Sequence, residues 1–176
     1  MTGNRIYLDH NATTPVRPEA VRAVARALIR TGNPSSGHAE GRKARALLEG
    51  AREAVAALVG GLARNVTFTS GATEALNLAL TPGLRAGTDA RPWRLFISAT
   101  EHSAVLNGHR FPADSVEIVP VEADGLIDLE HLERAIAAHS GARPLLALQL
   151  ANNETGVIHP VAERRHLDMN ASRGRN

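Results

Sequence analysis

Val66-Thr67-Phe68-Thr69-Ser70-Gly71-Ala72-Thr73-Glu74 decides how this chain is read, because an apolar β-type run stops inside it and a helical pattern starts within three residues. Val66 to Thr69 reads as a short buried strand, and Ala75, Leu76, Leu78, Ala79 and Leu80 as the helix that follows. The turn between them, Ser70-Gly71-Ala72-Thr73, is built of small residues. Such a turn lets the backbone approach a ligand closely, and the free N–H groups and dipole of the new helix favour an anion, most often a phosphate. The hydroxyls of Ser70 and Thr73 can cap the helix or donate to the same anion. The spacing alone also fits an ordinary capped strand-to-helix turn. It matches neither a Walker A nor a G-x-G-x-x-G pattern, so it lends nucleotide binding no support.

Upstream, Ile6-Tyr7-Leu8 leads into Asp9-His10-Asn11-Ala12-Thr13-Thr14-Pro15, turn chemistry without periodicity. Pro18 opens a helix with Val21, Val24, Ala25 and Leu28 on one face, closed by Gly32. A breaker cluster follows, from Gly32 to Gly37, and from His38 a second helix carries Ala44, Leu47, Leu48, Ala51, Val55 and Leu58 to Gly60-Gly61. These two helices are expected to pack on each other or on a common surface.

Downstream, Pro82-Gly83 begins a loop that runs to Trp93. Leu95 to Ser98 makes a second strand ending at Ala99-Thr100-Glu101-His102, with a short helix from Ser103 to Gly108. Val116, Ile118 and Val119 suggest a third strand, Asp124-Gly125 a turn, and Asp128 the cap of a helix carrying Leu129, Leu132, Ala135 and Ile136. Leu145 to Leu150 forms a fourth strand ending in Asn152-Asn153-Glu154-Thr155-Gly156. Strands that alternate with helices, some of them almost wholly apolar, indicate an α/β domain on a mostly parallel sheet. In such sheets ligands sit beyond the carboxyl ends of the strands. That rule singles out Ser70–Glu74, Thr100–His102 and Asn152–Gly156 as segments of one candidate pocket, although each alone also reads as a turn or a solvated end.

At 176 residues and 43% hydrophobic the chain is long enough for one sizeable core, while two independent domains are a squeeze. The net charge of +2 resides in the tail from Glu163 to Asn176, where Arg164, Arg165, Arg173 and Arg175 outnumber Glu163 and Asp168. A neutral body with 3% aromatics provides neither a phosphate-tracking stripe nor a stacking platform, which argues against nucleic acid. No apolar run approaches membrane-spanning length and no signal-like segment follows Met1, so a cytoplasmic protein is expected. Cysteine is absent, which excludes disulfides, thiolate metal sites and a cysteine nucleophile within these residues, and Lys43 is the sole lysine.

Tyr7-Leu8-Asp9 with Asn11 to Pro15, Gly32-Asn33-Pro34-Ser35-Ser36, Phe68 to Glu74, Thr100-Glu101-His102 and Ala151 to Gly156 occur in an order that resembles the cysteine desulfurases. These are pyridoxal-phosphate enzymes of the class V aminotransferase family. The resemblance spans roughly residues 6 to 163, and the tail from 164 to 176 does not match it. It implies an incomplete large domain of the fold-type I transferase fold over residues 1–163, followed by a divergent polar tail. It implies that Gly71, Ala72 and Thr73 hold the cofactor phosphate, that His102 stacks on the pyridine ring and takes part in proton transfer, and that Asn153 hydrogen-bonds in the cofactor and substrate region. In the family a lysine holds the cofactor covalently and a cysteine attacks the sulfur of L-cysteine, giving alanine and a persulfide. The sulfur passes to an acceptor or scaffold protein, for iron–sulfur clusters or thiolated tRNA, and family members are homodimers.

Relatives place that lysine, in a Ser-x-His-Lys context, beyond the point where this chain ends. The aspartate facing the pyridine nitrogen, the cysteine and the carboxylate-binding arginine also lie there. Lys43, between Arg42 and Ala44 on a patterned helix, reads as a solvated charge rather than a substitute. Relatives also insert later strands between the first strand and the next three, so the Val66–Thr69 strand is expected to lack its usual neighbour. The resulting expectation is a truncated cysteine desulfurase, inactive alone. Its alternatives are selenocysteine lyase, an aminotransferase, or a non-catalytic remnant that binds a full-length partner.

Overall fold

The computed structural model describes residues 6–83 and 91–161. The polar tail expected at 164–176 lies outside these residues, as does most of the loop before Trp93. The chain divides into two compact units, Met1–Phe68 and Thr69–Asn176.

The first unit holds two helices. Helix α1, Pro18–Leu28, starts with proline at its first position, where a missing N–H costs nothing. Helix α2, Ala39–Leu58, is capped by His38, whose ring accepts from the Gly41 amide at 3.3 Å. The breaker cluster is tied to α2 by its arginines: Arg42 donates to the Gly37 carbonyl at 2.6 Å and Arg45 to that of Pro34 at 2.8 Å. The expectation that the helices bury their apolar stripes is not met. Val21, Val24 and Leu28 of α1 stay exposed, as do Leu47 and Leu58 of α2, while Gly41 and Ala56 are the buried positions of α2.

The strand expected at Val66–Thr69 is absent from the sheet: Val66 is extended, but the segment belongs to no ladder. A strand is stable only where a neighbour takes its N–H and C=O groups. Here Arg52 of α2 takes that place. Its guanidinium donates to the Val66 carbonyl and lies over the Phe68 ring, 5.4 Å from the centroid.

The second unit is a three-layer α/β/α arrangement. Strands β1 (Trp93–Ser98), β2 (Val116–Val119) and β3 (Arg143–Ala147) form a parallel sheet in the order β2-β1-β3. Alternation along β1 divides the core. Leu95 and Ile97 face a cluster with Leu80, Val105 and Phe111, from helix α3 (Ala72–Ala79), helix α4 (Ser103–Leu106) and the segment after it. Phe96 faces the opposite cluster with Val119, Ile127, Leu132 and Ala135, dominated by helix α5 (Leu129–Ala138). Asp128 caps α5 as expected, accepting from the His131 amide at 2.8 Å.

Strand β1 is thus buried at the middle of the sheet, and its two neighbours are reached over opposite faces. The connection to β2 runs through α4, and that from β2 to β3 through α5. In doubly wound sheets with such a reversal of direction, ligands bind beyond the carboxyl ends of the strands, here those of β1 and β3.

Candidate active site

Two segments meet beyond those carboxyl ends. The β1–β3 ladder ends at Ile97 paired with Ala147. Beyond it, β1 turns sharply, with the Glu101 amide donating to the Ser98 carbonyl at 3.1 Å, and α4 begins at once. Strand β3 runs on to a hairpin-like loop, in which the Asn152 amide donates to the Val157 carbonyl at 2.8 Å and that of Gly156 to the Asn152 carbonyl at 2.9 Å. Gly156 has φ +76°, a left-handed conformation that favours glycine.

Side chains then join the two segments. The Thr100 carbonyl accepts from the Gln149 side-chain amide at 2.5 Å and from the Asn152 side-chain amide at 3.0 Å. The Glu101 carboxylate, almost wholly buried, accepts from the Gln149 backbone amide in a short bond and from the His102 amide at 3.3 Å. Asn152, also buried, turns its other side-chain atom to the loop, where Oδ1 accepts from the Glu154 and Thr155 amides at 2.8 and 2.9 Å.

His102 is exposed and caps α4, its Nδ1 accepting from the Ala104 amide at 3.0 Å. A ring that accepts at Nδ1 carries its proton at Nε2 when neutral, so the outward face of His102 presents a donor. Asn153 is exposed at the start of the turn, next to the buried Asn152.

The third sequence-derived segment, Gly71-Ala72-Thr73, opens α3. Helix α3 packs against α4 and the sheet through Leu76 and Leu80, and the Arg110 amide donates to the Leu80 carbonyl at 3.0 Å. All three residues are exposed, and no atom lies within 4 Å of the position a Cβ on Gly71 would take. The start of α3 is thus open to solvent on the Gly71 side, and a helix N-terminus of this kind favours an anion. Ser70 is otherwise engaged. Its amide and hydroxyl both donate to Glu74 at 2.6 Å, and these bonds, the hydroxyl first, hold the Glu74 carboxyl below the usual carboxylate range. Of the two hydroxyls considered for an anion, only that of Thr73 is left by this arrangement.

The residues fit a phosphate-bearing aromatic cofactor in kind: small residues and helix-terminal amides in one segment, and an imidazole and a carboxamide on the two segments beyond β1 and β3. Among the described residues, no group of three His, Cys, Asp or Glu is placed to hold a metal ion. No described helix is long and apolar enough to cross a membrane.

The class V aminotransferase family matches residues 6–169. This chain belongs to that family. The family member is 41% identical to a cysteine desulfurase of Frankia sp. over an aligned stretch of 166 positions that covers 88% of this chain and 39% of that protein. It is 35% identical to the selenocysteine lyase of Bos taurus, covering 90% of this chain and 41% of the relative. Among solved structures, the NifS-like protein of Rickettsia africae superposes with a TM-score of 0.76 at 36% identity, over 90% of this chain and 43% of that one. The class V chain thus spans about two fifths of the length of the curated relatives it matches, and its parallel sheet with flanking helices is part of the fold of the NifS-like enzymes.

Glu101, Gln149 and the structural part of Asn152 were not singled out individually by the sequence. The one visible signal is a glutamine interrupting the apolar run between Leu148 and Leu150.

Proposed function

We propose that this chain supplies the phosphate-binding and ring-facing part of a pyridoxal-phosphate-dependent cysteine desulfurase. The observation that carries the reading is the placement of His102 and Asn153 on the two segments beyond β1 and β3, in a chain 41% identical to a cysteine desulfurase. In this reading Gly71, Ala72 and Thr73 bind the cofactor phosphate through first-turn amides and the Thr73 hydroxyl. His102 covers the ring and moves a proton at Nε2. Asn153 orients cofactor and substrate through its carboxamide. When bound, pyridoxal phosphate supplies an electron sink for bond cleavage at the substrate amino acid.

The 176 residues contain no cysteine and a single lysine, Lys43 on α2. In our reading they do not by themselves turn over L-cysteine. Homodimerisation, a sulfur acceptor or scaffold protein, a cytoplasmic setting and a division at residue 163 follow from the same reading.

The test joins this chain to the remaining part of the Frankia enzyme. Thr73→Val is expected to weaken pyridoxal-phosphate retention by about 1–3 kcal/mol, the scale of a hydrogen bond to a charged group. His102→Ala is expected to retain the cofactor and lose about 10²- to 10⁴-fold in alanine release, the usual contribution of a positioned proton-transfer group. Unchanged retention in the first variant or full activity in the second overturns the assignment. Selenocysteine, offered in the same assay, tests the selenocysteine lyase reading that the 35% identity to the bovine enzyme favours.

A further inference from the structure

We propose that Glu101 is a positioning residue, whose buried carboxylate fixes the segment carrying His102 against the segment carrying Asn153. The inference rests on the reading of those two residues given above. Beyond Ile97 and Ala147 the strands part, and backbone pairing no longer determines how far apart their continuations stand. In that gap the Gln149 amide, at the end of the β3 run, and the His102 amide, at the start of α4, both point away from any ladder. The Glu101 carboxylate accepts from both, one oxygen to each, across 48 residues of sequence in the case of Gln149.

Chemistry argues that this group is kept for its position. Burying a carboxylate is costly, and an apolar side chain of the same volume usually serves packing better. Glu101 is only 8% exposed and has no arginine or lysine partner among its described contacts. What compensates it is two backbone donors, which form charge-assisted bonds that are strong and directional. A glutamine there offers one oxygen and one NH₂, so one of the two amides faces a donor instead of an acceptor. The isosteric change therefore leaves the volume and breaks one side of the bridge. The Thr100 carbonyl, held by the Gln149 and Asn152 side chains, adds a parallel tie that keeps the segments together while the carboxylate sets their register.

The test uses the whole 176-residue chain, labelled with ¹⁵N, and its Glu101→Gln variant, with free pyridoxal phosphate as the probe. In the variant, hydrogen exchange at the Gln149 and His102 amides is expected to accelerate at least about tenfold. Exchange at Ile97 and Val119 in the ladder stays unchanged. In the wild type, pyridoxal phosphate shifts the resonances of Gly71, Ala72, Thr73, His102 and Asn153. In the variant the first three shift as before, with the same midpoint, while the responses of His102 and Asn153 shrink and no longer follow one midpoint. Should Glu101→Gln fail to fold, Glu101→Asp, which keeps the charge but shortens the reach, carries the same expectation. Unchanged exchange at Gln149, acceleration spread evenly over the sheet, or wild-type ligand responses in the variant overturn the proposal. If pyridoxal phosphate shifts none of the five residues in the wild type, the cofactor reading falls, and the positioning role toward that cofactor falls with it. Local acceleration at Gln149 would then show the bridge itself to be real, which separates the two failures.

Discussion

The Asn152 side-chain amide donates to the Thr100 carbonyl at 3.0 Å, and so fastens the loop after β3 to the turn after β1 across 52 residues. The same side chain accepts from Glu154 and Thr155, so one buried residue both joins the two segments and shapes the loop that displays Asn153. Asn152→Ala leaves the Thr100 carbonyl with one bond fewer and two loop amides without their acceptor. Urea unfolding is expected to report a loss of about 1–3 kcal/mol, the cost of leaving buried polar groups unsatisfied. Asn153→Ala, one residue on and exposed, is expected to leave the midpoint within about 0.5 kcal/mol.

Asp128 anchors the other face of the sheet. Its Oδ1 accepts from the His131 amide at 2.8 Å, and α5 supplies Leu132 and Ala135 to the core. Asp128→Ala is expected to cost about 1 kcal/mol, and Asp128→Ser to recover most of it, because serine is a comparable N-cap. Thermal unfolding of the two variants side by side checks this.

Helices α3 and α4 meet at a position that admits no side chain. A Cβ on Gly108 would stand 2.1 Å from the Ala104 carbonyl oxygen and 2.3 Å from Asn77 Oδ1, and Asn77 Oδ1 is itself buried without a hydrogen-bond partner. Gly108→Ala must push α4 and α3 apart, at a cost of about 1–3 kcal/mol for overpacking. Asn77→Ala in the same background removes one of the two clashing atoms, and is expected to restore part of the lost stability in a double-mutant comparison.

The pH dependence of the turn before α3 follows from Glu74. Its folded-state pKa is lowered by the Ser70 hydroxyl and then by the Ser70 amide, so the bonded carboxylate favours the folded turn at neutral pH. That contribution is present above the pKa of the unfolded chain and is lost as pH falls through the folded value. Acidification is therefore expected to free the Ser70 amide and hydroxyl, seen as an upfield shift of the Ser70 amide and a fall in its protection relative to the intrinsic exchange rate at each pH. Glu74→Gln is expected to leave the chemical shift and the protection of the Ser70 amide independent of pH over the same acid range.

Legibility in the sequence followed the range of the interaction. Helix α1 was announced by Pro18, α5 by Asp128, and the tight turn before Ile127 by Asp124-Gly125, because each signal acts within four residues of its target. The parallel sheet was legible from short apolar runs between helices. Val66 to Thr69 has the composition of a strand, but strand formation depends on a neighbour, and, as expected, none stands beside it among the described residues. Arg52, fourteen residues earlier than Val66, took the carbonyl instead. The Ser70 hydroxyl, a cap or anion donor by its sequence, does neither: it donates to Glu74, a pairing that composition alone does not distinguish from a cap. Glu101 and Gln149 were invisible as a pair, because nothing local marks two residues 48 apart as sharing a hydrogen bond.

The position of β1 at the middle of the sheet also sets a schedule for synthesis. Trp93 meets its β3 partner Arg143 fifty residues later, whereas Leu95 meets Val116 of β2 after only twenty-one. At about 5–20 residues per second on the ribosome, β1 can gain its β2 neighbour within roughly one to four seconds of emerging, and waits about 2.5 to 10 seconds for β3. During that interval the Leu95-Phe96-Ile97 run has one side without a backbone partner, on the nascent chain rather than in the finished fold.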